Sequence, residues 1–156
     1  MILRVWQFRL SRALGRLATT LAAVLTLGRM PPFVSTSAVA IRDGEVLMVV
    51  DPIRREPVLP GGHLKWRETP EHAVVREVSE ETGYNVEIRS LLGVFSGEET
   101  TGEPGVVRVV YTAAITGGSL QPSPEGKPVW LRLDAIDGTR DAAIVRVAAQ
   151  LTGSSR

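Results

Sequence analysis

The chain has 156 residues, of which 44% are hydrophobic and 22% charged, a composition that suits one soluble globular domain. Its formal net charge is +1, so overall charge gives no indication of nucleic-acid binding, and none is predicted. The absence of cysteine excludes disulfide bonds, thiolate metal sites and thiol catalysis in this chain. It also fits the reducing cytosol, so we expect a cytoplasmic protein.

The sequence of residues 1–30 predicts a basic amphipathic helix. Arginines occur throughout this segment, and no acidic residue precedes Asp43. Three of the arginines follow helical spacing and therefore share one face, namely Arg9, Arg12 and Arg16. The longest uncharged run within residues 1–30, at residues 17–28, has twelve residues and is too short to span a bilayer.

Three roles suit such a helix. It can lie on an anionic membrane surface, pack on a partner subunit, or result from a start placed upstream of the true domain. We expect a peripheral or packing role, and the oligomeric state stays open. Two prolines after residue 30 end any helix, so we divide the chain into a helical extension at residues 1–32 and a domain at residues 33–156.

The rest of the chain predicts strands and two isolated helices. An Asp-Gly turn joins the first two strands, and a run of β-branched residues favours a central strand. The predicted strands are Ser35–Arg42, Glu45–Val50, Val86–Val94, Val106–Ile115 and Val129–Leu133. The predicted helices are Thr69–Gly83 and Asp141–Leu151. This order indicates an α/β sandwich with a mixed sheet.

The first of these helices carries the strongest functional pattern. Thr69 is a good N-cap, and Gly83 suits the C-terminal end. On a helix with these ends, three acidic residues fall at positions i, i+3 and i+4 and share one face, namely Glu77, Glu80 and Glu81. Carboxylates at this spacing repel one another, and a cation bound to this face would offset the repulsion. The pattern therefore indicates a cation site.

The surrounding residues also suit a divalent metal. Mg²⁺, or alternatively Mn²⁺, prefers oxygen ligands and binds a few carboxylates together with substrate phosphates. Glu68, just before the helix, can point into the same space, and the backbone of Gly61 and Gly62 can approach a metal closely. Arg76 lies four residues before Glu80 and can hold its carboxylate by paired hydrogen bonds.

The segment Gly62–Tyr84, GHLKWRETPEHAVVREVSEETGY, resembles the signature of the Nudix hydrolase family. That signature reads Gly, five residues, Glu, seven residues, Arg-Glu, an aliphatic residue, any residue, Glu-Glu, any residue and Gly, followed by an aliphatic residue. The residues in register are Gly62, Glu68, Arg76, Glu77, Val78, Glu80, Glu81 and Gly83. Tyr84 departs from the final aliphatic position, which is usually a packing position. A weaker similarity extends over Phe33–Leu151.

The resemblance implies a Nudix-like α/β/α sandwich with a mixed central sheet and a site that needs a divalent metal. Metal ligands are expected among Gly61, Gly62, Glu68, Glu77, Glu80 and Glu81. Catalytic roles are expected for Glu77, Glu80 and Arg76, with the arginine orienting a glutamate. Acids from loops are further candidates for a ligand or a base, namely Glu98, Glu99, Glu103 and Glu125. Trp66 can pack against the helix or stack on a base, and we expect packing.

The implied activity is hydrolysis of a pyrophosphate in a nucleoside diphosphate linked to another group, such as a nucleoside triphosphate. ADP-ribose or a nucleotide sugar is the alternative substrate class. A second hypothesis is a Nudix scaffold that binds or regulates without turnover. Loss of a carboxylate from the signature would favour this second hypothesis, and none is lost here. A metal-binding helix outside the Nudix family is the third hypothesis.

Overall fold

The computed structural model describes residues 32–52, 55–97 and 105–153, together with Leu21. The predicted helical extension at residues 1–32 therefore lies outside the described residues, apart from Leu21 and Pro32. In the part of the chain that is described, no helix is both long enough and apolar enough to cross a membrane.

Within residues 32–153, as far as they are described, seven strands form one sheet, with a helix after the fourth strand and another after the last. The strands are β1 (Phe33–Arg42), β2 (Glu45–Val50), β3 (Pro57–Val58), β4 (Gly61–His63), β5 (Tyr84–Ser96), β6 (Val106–Gly118) and β7 (Lys127–Arg132). The helices are α1 (Pro70–Thr82), a 3₁₀ turn (Leu133–Ala135) and α2 (Ala142–Leu151). All five predicted strands and both predicted helices are confirmed within a few residues.

The sheet is mixed, as predicted. Its main path runs in the order β3, β2, β1, β6 and β5, with β4 paired to β1 and β7 paired to β2. Strands β1 and β6 are parallel, whereas β1 pairs with β2 and with β4 in the antiparallel direction. Strand β4 lies beside the start of β1, where Gly61 pairs with Ser37. This pairing brings the Gly-Gly backbone next to helix α1.

Two hydrophobic clusters pack on opposite faces of the sheet. Successive strand side chains point to opposite faces, so neighbours in β2 join different clusters. Leu47 packs with Val74 and Val78 of α1, whereas Met48 packs with Val145 of α2. The fold is therefore an α/β/α sandwich, which confirms the predicted class.

Both predicted ends of α1 are confirmed. The Thr69 hydroxyl accepts a hydrogen bond from the His72 amide at 3.3 Å, which caps the helix at its start. Gly83 adopts a left-handed conformation with φ of 76°, and its amide donates to the Ser79 carbonyl at 3.0 Å. These caps set the first and last residues of the helix.

Candidate active site

Helix α1 presents two buried carboxylates to strand β4. Glu77 and Glu81 lie one helical turn apart, and their exposed fractions are 7% and 9%. The Gly61 amide donates a hydrogen bond to Glu81 Oε2 at 2.8 Å. A Cβ atom on Gly62 would lie 2.6 Å from Glu77 Oε1, so only glycine leaves room for that carboxylate. The backbone of β4 therefore packs directly against both acids.

A third carboxylate reaches the same place from another part of the chain. Glu125, an exposed residue between β6 and β7, has a carboxylate oxygen that lies within 4.8 Å of oxygens from Glu77 and Glu81. These three residues, called the carboxylate cluster below, offer the oxygen ligands that Mg²⁺ and Mn²⁺ prefer. Of the four predicted loop acids, Glu125 reaches the cluster, and the other three lie outside the described residues.

Burial makes negative charge costly in the cluster. It raises the pKa of Glu81 to about 8, against the opposing effect of the Gly61 hydrogen bond, and the nearby Glu77 raises this pKa further. Burial also raises the pKa of Glu77, although its hydrogen bond to Arg76 opposes this shift. A bound cation would compensate for both charges, so the chemistry of these donors fits a divalent metal.

We expect the metal-free protein to lose stability as pH rises from about 4.5 to about 8. Over this range the folded chain holds a proton on Glu81 that the unfolded chain has released, because the pKa is about 8 when folded and 4.5 otherwise. Unfolding therefore releases a proton in this pH range, and a higher pH favours the unfolded state. Urea unfolding in chelator at several pH values measures the trend.

In the same experiment, Glu81→Gln should remove much of the pH dependence, because glutamine does not titrate. Glu87→Gln is the matched control, since Glu87 lies on the surface and pairs with Arg89. Identical pH profiles for the wild type and Glu81→Gln would contradict the assignment of a raised pKa to Glu81.

Arg76 contacts three glutamates, one before helix α1 and two within it. Its Nε and Nη2 donate to the two oxygens of Glu68 at 2.7 and 2.8 Å. Its Nη1 donates to Glu77 at 2.7 Å and to Glu80 at 3.1 Å. The predicted contact between Arg76 and Glu80 is therefore present as a single hydrogen bond, and the paired hydrogen bonds go to Glu68 instead. One planar guanidinium therefore orients a member of the carboxylate cluster.

Glu68 and Glu80 lie outside the carboxylate cluster. The hydrogen bond from Arg76 holds the pKa of Glu68 down to about 2, and the Lys65 amide donates to the same carboxylate at 2.9 Å. Glu80 is exposed and has Lys65 as a second basic neighbour, at 3.6 Å. These contacts favour a supporting role for both acids, and their predicted metal ligation stays a prediction.

The prediction that Trp66 packs against the helix is wrong. Its side chain is 90% exposed, in a turn where the Glu68 amide donates to the Lys65 carbonyl at 3.0 Å. Arg67 in this turn has a φ of 65°, a left-handed conformation that turns favour. The turn directs the indole away from the core, which the residue type alone does not indicate.

A cleft of about 640 Å³ lies elsewhere, between the β1–β2 turn and α2. The described residues that line it do not include the carboxylate cluster. Its charged side chains are of both signs, and two of its arginines already have acidic partners. Arg132 pairs with Asp134 at 2.6 Å, and Arg146 pairs with Asp137. The mixed charge gives this cleft no evident ligand.

A family model described as the NUDIX domain matches residues 31–151. The chain belongs to the Nudix family. The match covers the whole sandwich and includes the three carboxylates that the fold brings together. The resemblance seen in Gly62–Tyr84 therefore extends to the complete domain.

Two relatives align with about two thirds of this chain. An ADP-ribose pyrophosphatase of Methanocaldococcus jannaschii is 33% identical over 99 residues, which is 62% of this chain and 59% of that protein. A MutT-like protein of Streptomyces ambofaciens is 40% identical over 110 residues, which is 68% of this chain and 69% of that protein. Each match thus spans about two thirds or less of the relative.

The Nudix fold also recurs in solved structures. A MutT Nudix hydrolase of Burkholderia pseudomallei superposes with a TM-score of 0.58 at 32% identity. The superposition covers 67% of this chain and 86% of the other. The similarity in three dimensions agrees with the family assignment from sequence.

Proposed function

We propose that this Nudix protein hydrolyses the pyrophosphate of a nucleoside diphosphate linked to another group, with Mg²⁺ or Mn²⁺ held by the carboxylate cluster. The observation that carries the proposal is the convergence of Glu77, Glu81 and Glu125 within 4.8 Å, two of them buried. A solvated acidic helix face would not bury its carboxylates against a glycine backbone. The carbonyl groups of Gly61 and Gly62 are further candidate ligands.

When bound, the cation would polarise phosphoryl oxygens and lower the pKa of a coordinated water. Glu77, Glu81 and Glu125 would hold the cation. Arg76 keeps the Glu77 carboxylate in position through its hydrogen bond of 2.7 Å. A glutamate accepts a proton as water attacks phosphorus and the bridging oxygen leaves. The products are a nucleoside monophosphate and the phosphorylated remainder of the substrate.

Four glutamates predicted from the sequence are candidates for the base that accepts this proton, namely Glu77, Glu80, Glu81 and the loop acid Glu125. Glu77 and Glu80 accept hydrogen bonds from Arg76. Glu125 belongs to the cluster and is exposed, so it can exchange its proton with solvent after each turnover.

Two substrate classes follow from the proposal. Nucleoside triphosphates are the first class, because the proposed chemistry needs only a nucleotide and a scissile pyrophosphate. ADP-ribose and nucleotide sugars are the second class. The name of the Methanocaldococcus jannaschii relative, an ADP-ribose pyrophosphatase, favours testing ADP-ribose first within that class.

A substrate panel tests the proposed function. The purified chain is incubated with nucleoside triphosphates, ADP-ribose and nucleotide sugars in Mg²⁺ or Mn²⁺, and products are separated by chromatography. We expect nucleoside monophosphate from at least one class, and none in excess chelator. Turnover that persists in chelator would overturn the metal-dependent mechanism. Intact Mn²⁺ binding without turnover on any substrate would favour a binding or regulatory module.

A further inference from the structure

A buried ion pair lies on the far side of the sheet from helix α1. Arg108 of β6 donates to both oxygens of Asp141, at 2.6 and 3.2 Å, just before α2 begins. Asp141 is fully buried, and Arg108 is 7% exposed. The contact joins residues 33 positions apart in the chain. It therefore connects a central strand to the last helix through two charges removed from water.

Both members of the pair bind a further group. Asp141 Oδ2 accepts a hydrogen bond from the Leu59 amide at 2.7 Å. Arg108 Nε donates to Ser37 Oγ at 2.9 Å, in the strand that pairs with Gly61. The ion pair thus reaches the segment before β4 from two sides.

The segment 59–62 has little freedom to move on its own. The Ala38 amide donates to the Pro60 carbonyl at 3.0 Å, and the Gly61 amide donates to Glu81 at 2.8 Å. A Cβ on Gly61 would lie 2.0 Å from the Thr36 carbonyl oxygen, so the glycine packs directly on β1. Leu59 precedes Gly61 by two residues, so its amide, held by Asp141, and the Gly61 amide, held by Glu81, belong to the same short segment.

The pair also forms directed hydrogen bonds that apolar residues could not make. A buried ion pair is weak evidence for stability, because desolvation offsets much of the attraction between its charges. Its specific contribution is directional, since a planar guanidinium and a carboxylate fix the positions of both partners. Here those directions fix the Leu59 amide and the Ser37 hydroxyl.

We propose that Asp141 and Arg108 are positioning residues, which hold the segment 59–62 so that Glu77 and Glu81 can bind a divalent cation. This inference rests on the proposed function, because it assumes that the carboxylate cluster is a metal site. According to this inference, Asp141 and Arg108 influence metal affinity although both lie outside the Nudix signature Gly62–Tyr84.

Titration of the purified chain with Mn²⁺ tests the inference without reference to turnover. Asp141→Asn replaces one acceptor oxygen by an NH₂ group that faces the donors of Arg108. We expect about tenfold weaker Mn²⁺ binding, the lower end of the effects seen when outer partners of metal ligands are changed. Hydrogen exchange at the Gly61 amide, followed by NMR in the metal-free protein, should become faster.

Two control variants separate positioning from general loss of stability. Asp134→Asn removes one acid of an exposed pair with Arg132 and should leave Mn²⁺ affinity unchanged. Ile144→Val trims the core under α2 and should lower the urea midpoint without changing Mn²⁺ affinity. Wild-type Mn²⁺ affinity in a folded Asp141→Asn variant would overturn the inference. An absence of Mn²⁺ binding by the wild type would instead overturn the proposed metal site.

Arg108→Lys keeps the test decisive if Asp141→Asn does not fold. Lysine retains the charge opposite Asp141, but one ammonium cannot donate to both Asp141 oxygens and to Ser37 in the same directions. We expect Mn²⁺ binding in this variant to be weaker than in the wild type, with a loss smaller than that of Asp141→Asn because the charge is retained. An unchanged affinity in Arg108→Lys would equally contradict a positioning role.

Discussion

Replacing Glu81 or Glu77 by glutamine is expected to lower kcat/KM by at least about 10²-fold with the fold retained. Glutamine has almost the same shape as glutamate but no charge, so the cluster loses affinity for a cation. In the Glu81 variant the amide oxygen still accepts the Gly61 hydrogen bond. Because the pKa of Glu81 is about 8, the neutral side chain already suits the metal-free fold at neutral pH.

Steady-state kinetics in Mg²⁺, with the best substrate from the panel, measure this effect. Urea unfolding in chelator shows whether each variant is folded, and Mn²⁺ titration shows whether the loss lies in metal binding. Glu87→Gln on β5 is the control for removal of one negative charge from the surface. Full activity in both cluster variants would contradict the proposed mechanism.

The main elements of the fold could be predicted because their side chains follow simple periodicities. The Asp-Gly turn, the helix caps and the β-branched run in β6 are local patterns that act in the same direction as the tertiary structure. Strands β3 and β4 could not be predicted in this way. They are two and three residues long, and Gly61 and Gly62 have low strand propensity. Their pairing with β2 and β1 defines them as strands.

The candidate site could be predicted in part. Helical periodicity places Glu77, Glu80 and Glu81 on one face, but it does not show which of them β4 covers. In the structure β4 packs against Glu77 and Glu81, whereas Glu80 stays exposed beside Lys65. The position of a strand that lies earlier in the chain makes this selection.

Contacts between distant residues explain what sequence patterns missed. Glu125 looks like any other loop acid until β6 and β7 bring it to α1. Arg108 offered a local signal, because it interrupts the apolar run of a predicted central strand. Its partner Asp141 lies 33 residues later, and no local rule connects the two. Buried charges in predicted core strands therefore merit a search for long-range partners.

Gly62→Ala, which adds one methyl group, is expected to lower kcat/KM by about 10²-fold while the domain stays folded. The new Cβ would lie 2.6 Å from Glu77 Oε1 and 2.7 Å from its carboxyl carbon. Both atoms belong to the end of a flexible side chain, so the carboxylate moves aside and the backbone does not. Misplacement of a catalytic group by about 1 Å can account for a loss of this size.

Gly61→Ala, in contrast, is expected to destabilise the fold itself. Its Cβ would lie 2.0 Å from the Thr36 carbonyl oxygen and 2.7 Å from Ser37 Cα, which are backbone atoms of β1. A buried strand cannot shift by the required distance cheaply, so we expect a loss of at least about 2 kcal/mol in the free energy of unfolding. Urea unfolding and kinetics on both variants separate the two effects.

Gly117→Ala is the matched control for these two variants, because the nearest atom to its Cβ would be Asn85 Nδ2 at 3.6 Å, an ordinary contact. We expect that variant to fold and to turn over substrate like the wild type. Normal activity in Gly62→Ala would show that Glu77 does not need its place against β4. Activity lost at Gly62 and stability lost at Gly61 would instead show that two adjacent glycines have different roles. Gly62 makes space for the Glu77 carboxylate, and Gly61 lets β4 pack on β1.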